Sequence, residues 1–449
     1  MESFNIGRDW LLLKLYQGQK NERESSQHLV LDRVNTKMTA INNTGNFQPR
    51  IAEDPESFLL ICAKALHESG LPAHRLERML EIASLKMGLK ADFFISPGSV
   101  FASFNVGSQI VTHLKKVGEA SLHLEKIDRI ESLLSDVSNS KTSIESGIQQ
   151  LENIQISATN YNGWVTTLFF GISTGSAACV FGGGILEIVC SFIIGIGING
   201  LFSFVRVFPR IEKLIVFIAA FYAFVIASVF NSLFIGFNKE IATICGLILL
   251  IPGFSFTVAI TEMVNNHLIS GLSKFTHSFV IFVMLALGIG VADKLMHVML
   301  ITTPKISAFI LPSWSIAIAL IGVPVGFIVL LKAKRSDALW ISFACWLSYI
   351  MFSFTSSFVD APIAVFISSV LLGFASNLFA KIKKRNSAIM LVPGMILLVP
   401  GSLGFFSISN LLQSNIVEGI EIALKMLTTS MALVMGIIVS DVLLKSGND

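Results

Sequence analysis

Ile248-Leu249-Leu250-Ile251-Pro252-Gly253 returns as Ile396-Leu397-Leu398-Val399-Pro400-Gly401, displaced by 148 residues. Carried forward without a gap, that displacement lays Gly271 on Gly419, Gly288 on Gly436 and Asp293 on Asp441. Carried backward, it lays five apolar segments over five others. One Pro-Gly coincidence would mean little, but a gap-free register across five segments is a duplication. Proline removes a backbone donor and glycine loosens a helix. Both motifs, with Pro393-Gly394 beside the second, are therefore expected to break the helices that contain them.

The apolar segments run over about 164–181, 184–205, 214–233, 240–260, 275–293, 308–331, 337–357, 361–380, 388–408 and 420–444. A spanning helix takes about 20 largely apolar residues, so ten spans are expected. Five is odd, so the two copies must cross the bilayer in opposite senses. That is the plan of secondary transporters whose inverted halves rock about a midplane site. The expected fold is membrane all-α: ten transmembrane helices as two inverted five-helix repeats, 161–300 and 301–449, preceded by a small cytoplasmic α+β domain.

Composition agrees. Of 449 residues, 53% are hydrophobic and 14% charged, and the mean hydropathy is +0.71; an ordinary soluble domain carries about 25% charged residues. The charge is concentrated before residue 160. A net charge of +3 is too small to argue for a nucleic-acid partner. Its placement is informative instead. With the N-terminus inside, eleven Lys and Arg fall in cytoplasmic loops (Arg206, Arg210, Lys213, Lys274, Lys332, Lys334, Arg335, Lys381, Lys383, Lys384, Arg385), against Lys239, Lys294 and Lys305 outside. Positive loops stay inside, so both termini are expected in the cytoplasm. No secretory leader is expected, because Met1–Trp10 carries Glu2, Arg8 and Asp9. The five cysteines form no C-x-x-C pair and four lie in apolar runs, which points to buried thiols rather than disulfides or zinc ligands.

The first 50 residues lack a sustained apolar period and read as a flexible tail. From Pro55 a helix is expected over 56–69, ended by Gly70 and Pro72, and a second over 73–87, ended by Gly88. Extended runs follow at 93–96, 99–104 and 109–115, the first two joined by a turn at Pro97-Gly98. A polar helix over about 121–154 closes a domain spanning 51–160.

Charged and amide groups within apolar segments mark pathways or proton relays more often than lipid-facing surface. The candidates for proton coupling are Glu187, Asp293, Asp441, Glu262 and His267. For substrate binding they are the broken-helix residues Pro252, Gly253, Pro400 and Gly401, with Asn199, whose bland alternative is interhelical hydrogen bonding. Gly195-x-Gly197-x-x-Gly200 matches a dinucleotide fingerprint formally but has no preceding strand. His67, Glu68 and His74 put imidazoles near a carboxylate, yet Gly70 and Pro72 interrupt any shared helix, so no metal or other cofactor is expected.

The stretch from His67 through Gly70, Pro72, Arg75 and Glu77 to Gly88, and then Phe94-Ile-Ser-Pro97-Gly-Ser, resembles the opening of the threonine/serine exporter family. Gly182–Gly184 and Ile251-Pro-Gly-Phe-Ser-Phe-Thr-Val-Ala-Ile-Thr-Glu262 through Gly271 to Lys274 continue that resemblance. The second half resembles the family's smaller domain, which elsewhere occurs as a separate chain. The resemblance implies proton-coupled export of threonine, serine or a related small metabolite across a bacterial inner membrane, and allows a homo-oligomer. Where the family tends to have Asp and Arg after the fourth span, this chain has Glu262, His267 and Lys274. Export of a small dicarboxylate is the alternative transport reading. A membrane-anchored enzyme acting through 52–155 is the alternative of another class, though no nucleophile–base constellation supports it.

Overall fold

A computed structural model describes residues 54–106, 109–118, 120–157, 161–205, 207–299, 311–312 and 314–445. The expected tail over 1–50, the start of the sixth segment, Arg206 and Lys305 lie outside the described residues. The described residues from Pro55 onward form one compact unit.

The front end begins with α1 (Pro55–Glu68) and α2 (Ala73–Lys86), separated by Gly70 at φ 88°. Strands β1 (Ala91–Ser96), β2 (Ser99–Val106) and β3 (Gln109–Lys116) form an antiparallel meander in the order β1-β2-β3. Period-two alternation sends Phe93, Ile95, Val100, Ala102 and Phe104 into a core shared with Phe58, Leu66, Leu76 and Leu80. The single polar helix expected over 121–154 is instead two, α3 (Leu124–Ser138) and α4 (Ile144–Ile156). Ser140 at φ 58° turns the chain between them, and the Ser143 hydroxyl caps the second.

The remaining helices are α5 (Gly163–Val180), α6 (Ile185–Val205), α7 (Ile215–Leu233), α8 (Lys239–Leu247), α9 (Gly253–Val264), α10 (Leu268–Met299), α11 (Ser315–Leu330), α12 (Ala338–Thr355), α13 (Ala361–Lys383), α14 (Ala388–Leu398), α15 (Gly401–Leu412) and α16 (Ile416–Lys445). Eight helical stretches among the described residues are long and apolar enough to cross a membrane, α14 and α15 counting as one stretch; α9 and α11 are shorter apolar helices. The fourth expected span, 240–260, is two helices, α8 and α9, because Pro252 and Gly253 interrupt the ladder. The polar loop expected after it shrinks to a tight turn at Asn265–His267, so that α10 starts at Leu268 and runs 32 residues.

The 148-residue displacement holds in the backbone. Helix α9 maps onto α15 end for end, and the starts of α10 and α16 coincide. Asn266 (φ 65°) corresponds to Ser414 (φ 67°), and Gly236 (φ 83°) to Lys384 (φ 52°). The Asn238 side chain caps α8 through the Glu240 and Ile241 N–H groups, and its counterpart Asn386 accepts from Ala388 N–H. Contacts between the halves exchange in the same way: α10 packs on α15 while α16 packs on α9, and α5 packs on its own counterpart α11.

Candidate functional site: a cavity beneath the helix breaks

The two Pro-Gly breaks meet. Pro252 and Pro400 adopt nearly the same backbone conformation (φ −81°, ψ 39° and φ −80°, ψ 46°), and each opens the helix that follows. A Cβ on Gly253 would lie 2.8 Å from Gly401 Cα, and one on Gly401 would lie 3.3 Å from Gly253 Cα. The glycines are therefore required by backbone-to-backbone approach. In α9 the first ladder bond runs from Phe256 N–H to the Pro252 carbonyl, so the amides of Phe254 and Ser255 precede the ladder at a helix N-terminus.

A cavity of about 760 Å³ runs between the front end and helices α9, α13, α14 and α16 and reaches Phe254 and Met395, while neither Pro-Gly pair lines it. Its inner wall is apolar: Phe254 and Val258 from α9, Leu391, Val392 and Met395 from α14, and Val434 and Ile437 from α16. Its mouth is polar, with Asn265, Asn377, Lys381, Ser387 and Asp441 from the helices and His74, Arg75, Arg78 and Glu131 from the front end. From Asn265 to Phe254 the wall of α9 descends about 16 Å at 1.5 Å per residue, roughly half of a 30 Å hydrocarbon core.

The sequence candidates separate by location. Asp441 lines the mouth, where its Oδ1 accepts the Asn377 amide at 2.6 Å. Glu262 is fully buried at the end of α9; one carboxylate oxygen accepts the Ala73 N–H at 3.0 Å and pairs with Lys274, while the other has no hydrogen-bond partner. His267 lies beside it, 3.3 Å from Glu77 and 6.2 Å ring to ring from His74. Burial lowers His74 to about 4 and also depresses His67, whereas it raises Glu77.

Asp441 alone among the candidates lines the cavity, and Glu187, Asp293 and Asn199 act as ties elsewhere in the helices. The oxygens of Glu187 accept the N–H groups of Gly184 and Asn238, tying the start of α6 to that of α8. Asp293 pairs with Lys239 at 3.6 Å and His297 at 3.8 Å. Asn199 donates to the Thr167 hydroxyl at 2.7 Å, joining α6 to α5. Among the described residues no group of three or more His, Cys, Asp or Glu is arranged to hold a metal ion, and all five cysteines are buried and unpaired.

Sequence reading missed the contribution of the front end. Arg75, Arg78, Met79 and Ile82 follow helical spacing along one stripe of α2 and line the cavity, while Leu76, Leu80 and Ala83 face the core. The available signal was an Arg-x-x-Arg pair on the second stripe of an amphipathic helix.

Residues 57–296 match the family model described as "Putative threonine/serine exporter", and residues 315–443 match that of "Threonine/Serine exporter, ThrE". The chain belongs to the threonine/serine exporter family. It carries that family's large and small domains fused, and is a multi-pass membrane protein. Among curated relatives, an uncharacterized protein of Schizosaccharomyces pombe is 24% identical over 364 residues, 76% of this chain and 43% of the relative. Pheromone-regulated membrane protein 10 of Pichia sorbitophila is 22% identical over 393 residues, 82% of this chain and 37% of the relative. Its namesake in Saccharomyces cerevisiae is 21% identical over 394 residues, covering 82% and 48%. The chain thus spans less than half the length of these fungal relatives. No solved structure matches.

Proposed function

We propose that this protein is a secondary active exporter of threonine, serine or a related small metabolite, coupled to protons and working by alternating access between two inverted repeats. The observation that carries the reading is the cavity, which is lined by the front end and by helices of both halves and reaches Phe254, the residue after the Pro252-Gly253 break. A path reaching only halfway is what a one-side-open carrier needs, and the N-terminus of α9 at its inner end suits a carboxylate. Inversion is supported by opposite ends of equivalent segments touching the front end: Glu262 at the end of α9 bonds Ala73, whereas Asn386 before α14 bonds Arg75. The front end also meets the Lys332–Lys334 and Arg385 loops, whose positive charge argues for a cytoplasmic location. Placement in a bacterial inner membrane rests on the family resemblance alone.

Proton transfer falls in this reading to Asp441 in the cavity and to Glu262 with His267 at the junction; Glu187 and Asp293 hold helices together. Because the front end builds part of the cavity wall, it serves as a portion of the carrier rather than as an independent enzyme. The test is counterflow in reconstituted vesicles, screening amino acids and dicarboxylates with and without a pH gradient. Threonine or serine exchange accelerated by the gradient is the expected result. Exchange of dicarboxylates alone would move the substrate assignment to the alternative, and indifference to the gradient would remove proton coupling.

A further inference from the structure

Four of the polar side chains at the cavity mouth come from the front end, His74, Arg75 and Arg78 of α2 and Glu131 of α3. Arg75 and Glu131 are already engaged. The Arg75 guanidinium donates to Asn386 Oδ1 at 3.1 Å and stands 3.8 Å from Glu131. Burial raises the Glu131 carboxyl, opposed by Arg75. Arg78, one turn further along α2, is exposed to the cavity and has neither a hydrogen bond nor an ion pair among the described residues. His74, held at about 4, adds no positive charge near neutral pH.

We infer that Arg78 is the residue by which the front end recognises the carboxylate of the transported molecule, making the cavity mouth a loading site ahead of the helix breaks. This rests on the exporter reading and assigns a specificity role within it. An uncommitted guanidinium presents a planar fork that pairs with a carboxylate through two hydrogen bonds. Asp441 shares the mouth and has one oxygen engaged by Asn377, which leaves the other to accept from an ammonium group. One uncommitted guanidinium and one carboxylate match a zwitterionic amino acid. A dicarboxylate would require a second free cation, but Arg75 is spent on its two partners and Lys381 at the same mouth is engaged as well.

The test uses the full chain in vesicles, with labelled threonine counterflow and competition by unlabelled threonine or threoninamide, which lacks the carboxylate. Wild type should be inhibited far more strongly by threonine than by threoninamide. Arg78→Gln should raise KM about tenfold, the loss of one charge-assisted contact, with kcat within twofold. It should also abolish the preference for threonine over threoninamide, and Arg78→Lys should restore part of it. Because Arg78 is exposed and unpartnered, the unfolding temperature should stay at the wild-type value. Unchanged KM and unchanged discrimination in Arg78→Gln, in vesicles whose wild type transports, would overturn this inference alone. A wild type that moves no small carboxylate would overturn it together with the exporter reading.

Discussion

His123 caps α3 with a ring nitrogen: its Nδ1 accepts the Lys126 N–H at 3.3 Å. Burial first, then the charges of Lys332 and Lys126, push this imidazole down to about 4. Its unfolded value is about 6.5, so below that pH the unfolded chain binds the extra proton. The stability contributed by neutral His123 is complete above pH 6.5 and is lost as pH falls towards 4. Glu77 and Glu131, raised by burial, act in the opposite sense, so a difference measurement is needed to isolate the histidine. His123→Asn keeps an oxygen suited to the cap position and does not titrate. Its unfolding temperature should therefore fall less between pH 7 and pH 5 than that of wild type; parallel curves would refute the assignment. At this scale the sequence showed which groups carry charge but not their partners. Glu187 and Asp441 look alike as isolated carboxylates in apolar runs, and only folding gives one a pair of backbone amides and the other a cavity.

Between α8 and α9, and again between α14 and α15, the breaks were legible because Pro and Gly act locally on the helix ladder. The register was legible too, since a duplication preserves spacing. What the pattern could not reveal is that the two breaks touch. That contact makes the glycines unequal. A methyl on Gly253 would meet Val399 Cγ1 at 2.6 Å and Gly401 Cα at 2.8 Å, while one on Gly401 meets Ile251 Cγ2 at 3.0 Å. Gly253→Ala should destabilise by about 1–3 kcal/mol, the usual range for overpacking, and slow counterflow; Gly401→Ala should do less of both. Thermal unfolding in detergent measures the first effect, and the reverse ranking would contradict the packing described. Helix lengths were read less well. Residues 268–274 are polar enough to suggest a loop, yet Gly271 lets α10 pack against Ala259 and Met263 of α9, and the helix begins seven residues early.

Across the whole molecule, Asp128 of α3 binds Arg385 at 2.7 Å and Lys334 at 3.1 Å, and Arg385 also grips Asp337. Burial pushes the Asp128 carboxyl up, but its hydrogen bonds to Arg385 and Lys334 outweigh that and hold it below the usual range. Removing one member of such a mostly buried network strands the others. Asp128→Ala should cost roughly 3 kcal/mol and speed hydrogen exchange in α3 while leaving α7 unchanged; unaltered exchange in α3 would show the network to be dispensable. The eleven loop cations on which the expected topology rests were not legible as docking points, because partners 206 and 257 residues apart leave no local pattern.

These attachments are lopsided. The front end holds the second repeat through Leu331, Lys332, Lys334, Arg385 and Asn386, but holds the first mainly through Glu262 and His267. If the halves swing, it travels as a passenger of the second and its grip on the first is the one that slips. A dye on β3, none of whose residues lines the cavity, would then report the swing from outside the lipid, with no label placed in the substrate's way.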